Sequence, residues 1–236
     1  MKSFLQPSVV MVSLWRDDAD KQIEERIAHL LSKTYRGLRW LWVVGDSADD
    51  TEAILRGAAS GDRRITVIRH DTGLLDDGPA DRLVRLGATF NAAMECVTGS
   101  DDVLLVHESD LISPPDVAER MVRSGHAILG GWVTLGESGC FYDVFAYRWH
   151  GAMFTNWPPY SPAYNASEIF EVDSVGSCWI APAHEFAGKG GIRMQGGAVL
   201  DAMRQLRERG YKVWCDPTLA IVQPRELWVS RQQAVV

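Results

Sequence analysis

The chain has 236 residues, enough for one large α/β domain with a buried core. Its formal net charge of -7 argues against nonspecific binding to nucleic acid or anionic membranes, which rests on clustered Lys and Arg. No apolar run approaches the roughly 20 residues that span a bilayer, and Met1-Lys2-Ser3-Phe4 does not open a signal peptide. A cytoplasmic protein without integral membrane contact is expected, with no obligate protein partner evident. The cysteines Cys96, Cys140, Cys178 and Cys215 lie far apart without zinc-ligand spacing, so reduced thiols are expected.

Val9 to Leu14 reads as a first buried strand, and Asp17 to Ser32 as an amphipathic helix with Ile23, Ile27, Leu30 and Leu31 on one face. Trp40 to Val44 is a second strand. It ends at Gly45-Asp46-Ser47-Ala48-Asp49-Asp50-Thr51, a turn rich in helix-capping residues that leads into a helix over Thr51 to Ala59. Ile65 to Ile68 is a third strand, Leu83 to Val97 a longer helix, and Val103 to Val106 a fourth strand. Strands alternating with helices predict a parallel, doubly wound sheet.

The second half reads differently. Between Gly130 and Pro162 it is rich in Gly, Pro and aromatics, including Trp132, Phe141, Tyr142, Phe145, Tyr147, Trp149, Trp157 and Tyr160. This pattern suggests short strands and long loops, with most rings in the core and some free to stack on a sugar or a base. Val172 to Pro182 resumes strand character, Ala198 to Arg209 is a helix stopped by Gly210, and Tyr211–Trp214 and Leu219–Val222 read as two late strands. Without repeats or linkers, one domain is expected, 1–116 forming one half and 117–236 the other.

The fourth strand ends in His107-Glu108-Ser109-Asp110, two carboxylates one residue apart, before Pro114-Pro115. In open α/β sheets ligands bind beyond the carboxyl ends of the strands. Hard carboxylate oxygens there suit Mg²⁺ or Mn²⁺ holding a diphosphate, while a solvated acidic loop is the plainer alternative.

The order of these segments resembles the nucleotide-sugar-binding fold of GT-A glycosyltransferases. Leu86 to Met94, with Asn91, resembles the helix that precedes the Asp-x-Asp metal motif in glycosyltransferase family 2. A closer likeness is to the fungal Golgi α-mannosyltransferases that build mannan: Gly45–Thr51 is similar to their nucleotide-side turn, Glu108–Ile112 with Pro114-Pro115 to their Asp-x-Asp segment, Val172–Ser177 to their acceptor-side motif, and Gly210–Gln223 to their C-terminal pattern. The chain departs where the family has the first Asp of the pair (Glu108), a late His (Gln223) and an acidic pair opening the last helix (Ala198 and Val199, with Asp201 nearby).

The resemblance implies a Rossmann-like, mostly parallel central sheet with flanking helices, a nucleotide-sugar-binding half over 1–116 and a mixed acceptor-side half over 117–236. It implies a UDP- or GDP-sugar donor near Ser13, Leu14, Trp15, Arg16, Asp46, Asn91 and Ser109. Asp46 is equally suited to capping the next helix, and Arg16 or Arg82 to an ordinary surface role. Glu108, Asp110 and Gln223 would hold Mn²⁺ or Mg²⁺, and Asp143, Asp173 and Asp201 are the candidates for catalysis on the acceptor side. The implied reaction is transfer of a sugar to a hydroxyl of a glycan, a protein or a hydroxymethylated DNA base, with retention favoured by the closer likeness. A nucleotidyltransferase and a non-catalytic nucleotide-sugar or glycan-binding module are the competing readings.

Overall fold

The computed structural model describes residues 6–19, 22–74, 78–136, 140–153, 167–188, 190–196 and 198–224. Trp157 and Tyr160 lie outside the described residues. The first half alternates as its sequence predicts: β1 (Val9–Trp15), α1 (Ile23–Leu31), β2 (Leu38–Val44), α2 (Thr51–Ala59), β3 (Ile65–Arg69), α3 (Pro79–Met94) and β4 (Val103–His107). α3 begins four residues earlier than the apolar pattern suggests, because Pro79 follows Gly78 at the first helical position, where a missing N–H costs nothing. α1 begins later, at Ile23, because Asp17 and Asp18 serve the loop instead. Asp17 adopts a left-handed φ of 47° and accepts from the Ala48 amide, and Asp18 ion-pairs with Arg26.

The remaining elements are α4 (Val117–Arg123), β5 (Ile128–Leu135), the short strands β6 (Cys140–Phe141), β7 (Arg148–Trp149) and β8 (Ala152–Met153), then β9 (Phe170–Val172), β10 (Cys178–Pro182), α5 (Val199–Glu208) and β11 (Val213–Gln223). The main sheet runs in the order β3-β2-β1-β4-β10-β5-β11-β9, with β6 paired to β5. β1 to β5 and β11 all point the same way, while β10 and β9 run against them. The fold is therefore mixed α/β around a mostly parallel sheet.

Two details differ from the sequence reading. The expected pair of late strands is one strand, β11, whose register against β5 shifts between Asp216 and Ala220. Pro217 lies in that stretch and has no N–H to give the ladder, so the strand bulges there and then continues. The Gly- and aromatic-rich stretch, read from sequence as short strands and long loops, opens on most of a long central strand, β5. Gly130 and Gly131 sit in it because Val175 and Tyr147 press on one face and Ile221 on the other.

Alternating side chains build a core on each face. Val9 and Met11 pack with Ile23, Ile27 and Leu30 of α1 and Val117 and Met121 of α4. Val10 and Val12 belong to the opposite cluster, with Phe90 and Met94 of α3 and Met203 and Leu206 of α5. Each fully buried aliphatic side chain of α1 contributes about 1.5–3 kcal/mol, so this face fixes the helix against the sheet. Of the candidate stacking rings, Trp132, Phe141 and Tyr147 are buried and Phe145 is exposed. All four cysteines are free thiols, and among the described residues no helix is long and apolar enough to cross a membrane.

Candidate active site at the strand ends

The common strand direction brings the ends of β1, β2, β4, β5 and β11 to one edge of the sheet. Ile112 and Val222 exchange both backbone hydrogen bonds at 2.8 Å, which sets Gln223, the last residue of β11, against Asp110. The Gln223 amide Nε2 donates to Asp110 Oδ2 at 3.2 Å, with Asp110 3% and Gln223 1% exposed. Gln223 Oε1 is sealed from solvent and accepts no hydrogen bond. A buried carbonyl oxygen without a donor costs free energy, and a cation is one group that relieves it. Among the described residues no three His, Cys, Asp or Glu side chains form a metal cluster. Carboxylate and amide oxygens such as those of Asp110 and Gln223 are nevertheless the donor type that a hard divalent cation takes.

The acidic turn is braced from several sides. Glu108 N–H donates to Ser177 O at 3.0 Å, and Ser177 Oγ donates to Asp143 Oδ2 at 2.5 Å. Gly176 precedes Ser177 because a Cβ there would fall 2.2 Å from Ala146 Cβ and 2.6 Å from Asp143 Oδ2. Asp143 thus reaches the site through Ser177. Burial pushes its carboxyl up to about 6, against the lowering effect of the Ser177 hydroxyl and the Ala146 amide.

Just past the end of β2, Asp46 has a left-handed φ of 49° and accepts from Thr72 N at 2.8 Å, Thr72 Oγ1 at 2.5 Å and Gly73 N at 3.1 Å. Burial alone would raise its pKa, but these donors and Arg85 outweigh it and hold the carboxyl below the ordinary range. It is not a helix cap. The N-cap of α2 is Asp50, four residues on. Asp17, Asp46 and Ser177 are all non-glycine residues with positive φ at this one edge, the kind of local strain that collects at functional sites.

Other expected site residues are placed elsewhere or turned away. Ser13 and Trp15 are buried on the α1 side of β1, Trp15 lying 4.8 Å under the Arg26 guanidinium. Leu14 presents its carbonyl to Ser109 Oγ at 2.7 Å, and Arg16, half-buried, lies 3.5 Å from Asp17. Ser109 points inward, accepting from Arg26 Nη2 at 2.6 Å, so it braces the turn from behind. Asn91 spends its amide on both backbone groups of Met194, at 2.7 and 2.8 Å, and holds that loop to α3. Asp201 accepts from the Gln195 amide at 2.9 Å in the first turn of α5.

Asp173 is not brought to this edge. It follows Val172, which pairs with Val213 at the start of β11, whereas Gln223 ends the same strand. β5 alongside spans eight residues, roughly 23 Å. Asp173 there meets Arg207 at 3.1 Å and lines an open hollow of about 380 Å³ with Arg148 and Arg204.

Sequence reasoning missed a polar cluster under the turn. His29 Nε2 accepts from Ser113 N at 3.0 Å, Lys33 Nζ lies 2.9 Å from the same nitrogen and donates to Ser113 O at 3.0 Å, and His107 Nε2 lies 2.8 Å from Ser113 Oγ. Two donors on His29 Nε2 require a neutral ring protonated at Nδ1. Burial, reinforced by Lys33, lowers His29 to about 4 and His107 to about 3, while burial lowers Lys33 to about 8. The available signal was Arg26 and Lys33 falling inside the Ile23, Ile27, Leu30 stripe, where a helix facing a core has no use for cations.

A mostly parallel α/β sheet with acids at its strand ends is the architecture of GT-A glycosyltransferases, and solved structures of that class superpose on this chain. One is GalNAc-T7 with UDP, GalNAc and Mn²⁺, with a TM-score of 0.62 and 11% identity over 92% of this chain and 44% of that one. Another is the mannosyltransferase PcManGT from Pyrobaculum calidifontis with GDP-Man and Mn²⁺, with a TM-score of 0.58 and 17% identity over 93% of this chain and 57% of that one. The chain thus spans about half the length of these structures. No curated protein matches it in sequence. The glycosyl transferase family 2 model matches residues 8–180, and the chain belongs to that family.

Proposed function

We propose that the protein transfers a sugar from a UDP- or GDP-sugar to a hydroxyl acceptor with the help of Mn²⁺ or Mg²⁺. The observation that carries this reading is Gln223 Oε1, buried without a donor beside the buried carboxylate of Asp110 at the strand ends. Glu108, Asp110 and Gln223 would hold the cation. When bound, it supplies Lewis-acid neutralisation of the departing diphosphate. The neighbouring solved structures carry UDP and GDP-Man with Mn²⁺, which supports both donor classes equally.

The chain's own residues set the rest of the chemistry. Asp46 shapes the 71–74 loop where the base and ribose would lie, and Arg16 stands near the phosphate end. Asp143 is buried behind Ser177, Asp173 is remote, and Asp201 serves the Gln195 amide. None of these three acids stands ready to take the acceptor proton, which favours retention, with the leaving phosphate oxygen accepting it. The acceptor is a hydroxyl of a glycan, a protein or a modified DNA base. Within the family, Gly45–Thr51, Glu108–Ile112 and Gly210–Gln223 favour kinship with the fungal mannan-building enzymes.

Calorimetry with UDP- and GDP-sugars, with and without Mn²⁺, tests the donor and the metal together. Metal-dependent binding of one of them is expected, and the anomeric proton of any product reads the stereochemistry. Binding without metal and without turnover would point instead to a non-catalytic module.

A further inference from the structure

Helix α1 grips the acidic turn at two points. Arg26 donates to Ser109 O at 3.0 Å and to Ser109 Oγ at 2.6 Å, between the two acids, and its other side pairs with Asp18 at 3.0 Å. One and two turns on, His29 and Lys33 take hold of the Ser113 N–H and carbonyl, three residues past Asp110. The spacing of 26, 29 and 33 is i, i+3, i+7, one face of the helix and the residue just beyond its cap. Arg26 and Lys33 are 9% and 6% exposed. Burying two cations costs several kcal/mol unless their geometry is well satisfied, and apolar residues at these stripe positions would stabilise the core at least as well. Hydrogen bonds to backbone groups at both ends of one short turn do what apolar packing cannot: they fix its shape.

We infer that the Arg26, His29 and Lys33 face of α1 is a positioning device for the transfer reaction, setting the geometry in which Glu108 and Asp110 present their oxygens to the cation and diphosphate. This rests on the metal–diphosphate reading above. Groups behind metal ligands tune affinity as well as the ligands' orientation. α1 acts here as a rigid ruler, since Ile23, Ile27 and Leu30 anchor it to the sheet that carries the turn.

The test is Mn²⁺ binding followed by electron paramagnetic resonance, with UDP and with GDP, on the full chain. The proteins compared are wild type, Asp110→Asn, Arg26→Lys, His29→Phe, Lys33→Met and Leu206→Val, the last a core change on α5 against the opposite face of the sheet. Arg26→Lys and Lys33→Met are expected to weaken Mn²⁺–nucleotide binding roughly 10- to 100-fold and to alter the bound-Mn²⁺ spectrum. Leu206→Val should leave both at wild-type values. Folded Arg26→Lys and Lys33→Met proteins with wild-type affinity and spectrum, alongside an Asp110→Asn protein that has lost binding, overturn the positioning role alone. Should Lys33→Met fail to fold, Arg26→Lys and His29→Phe decide by the same criterion. Undiminished Mn²⁺ binding by Asp110→Asn removes the metal reading itself, and the positioning role falls with it.

Discussion

The two ends of the sheet use aspartate in opposite ways. At the strand ends Asp110 is buried, takes a hydrogen bond from the neutral amide of Gln223, and sits on a turn whose backbone is held by Arg26, His29 and Lys33. At the far end Asp173 meets the half-exposed Arg207 directly, on the rim of an open hollow. Buried polar groups with fixed partners are costly and specify one geometry, whereas a solvated ion pair is cheap and specifies little. The difference separates an acid held in one buried geometry from one in a solvated ion pair.

The sharpest way to break this contrast is at Asp110. Asp110→Asn keeps the side-chain shape but removes the charge that would hold the cation against a diphosphate, and the rate of sugar transfer should fall about 10²- to 10³-fold, the usual cost of deleting one preorganised electrostatic partner. A loss of less than fivefold in product formation would place the chemistry elsewhere.

Asp143 gives the next largest effect, read in stability. Its carboxyl is raised by burial from 3.8 to about 6, so the folded state holds the proton more tightly than the unfolded chain. That contribution is complete below about pH 4 and is lost as pH rises through 6. Asp143→Asn, which still accepts from Ser177, should therefore gain on wild type across pH 4 to 6, by at most about 3 kcal/mol. Thermal melts at matched pH would show it as a widening difference in Tm. A constant difference over that range would mean that Asp143 is charged in the folded protein.

At Gln223 the expected change is in metal affinity. Gln223→Leu removes both the donor to Asp110 and the buried carbonyl, and should weaken Mn²⁺ binding in the presence of nucleotide roughly 10- to 100-fold. Gln223→His restores a ligand-competent nitrogen and should recover most of it. Equal affinities for wild type and Gln223→Leu, by titration against a metallochromic dye, would leave Gln223 a purely structural partner.

Legibility in the sequence followed how local the determinants are. β1 to β4 and their helices could be read because each buries a short apolar run and alternates with caps and turns, and Glu108-Ser109-Asp110 stood out because the apolar strand stops there abruptly. Asp143 and Asp173 could not be told apart. Both follow strand-like stretches, and only the crossing of 173–177 over β5 carries the chain from the Val213 end back to the site at Ser177. Ser109 and Asn91 show a related limit: a polar side chain near a site has the same sequence signature whether it faces a ligand or braces the backbone. The α1 cluster was visible as cations in an apolar stripe, but its partner, Ser113, is 80 residues from Lys33.

The smallest effect belongs to Asp173, and it bears most directly on the contrast between the two ends. Its ion pair with Arg207 is solvated on both sides, with 51% of the Arg207 side chain and 23% of the Asp173 side chain exposed. Pairs of this kind contribute roughly 0–1 kcal/mol. Asp173→Asn still offers an oxygen to the Gly151 amide, which donates to Asp173 at 2.6 Å, so the local backbone is kept. Stability should change by less than about 1 kcal/mol in denaturant melts, and transfer activity should stay within twofold of wild type. A loss comparable to that of Asp110→Asn would mean that the far end of the sheet takes part in the reaction.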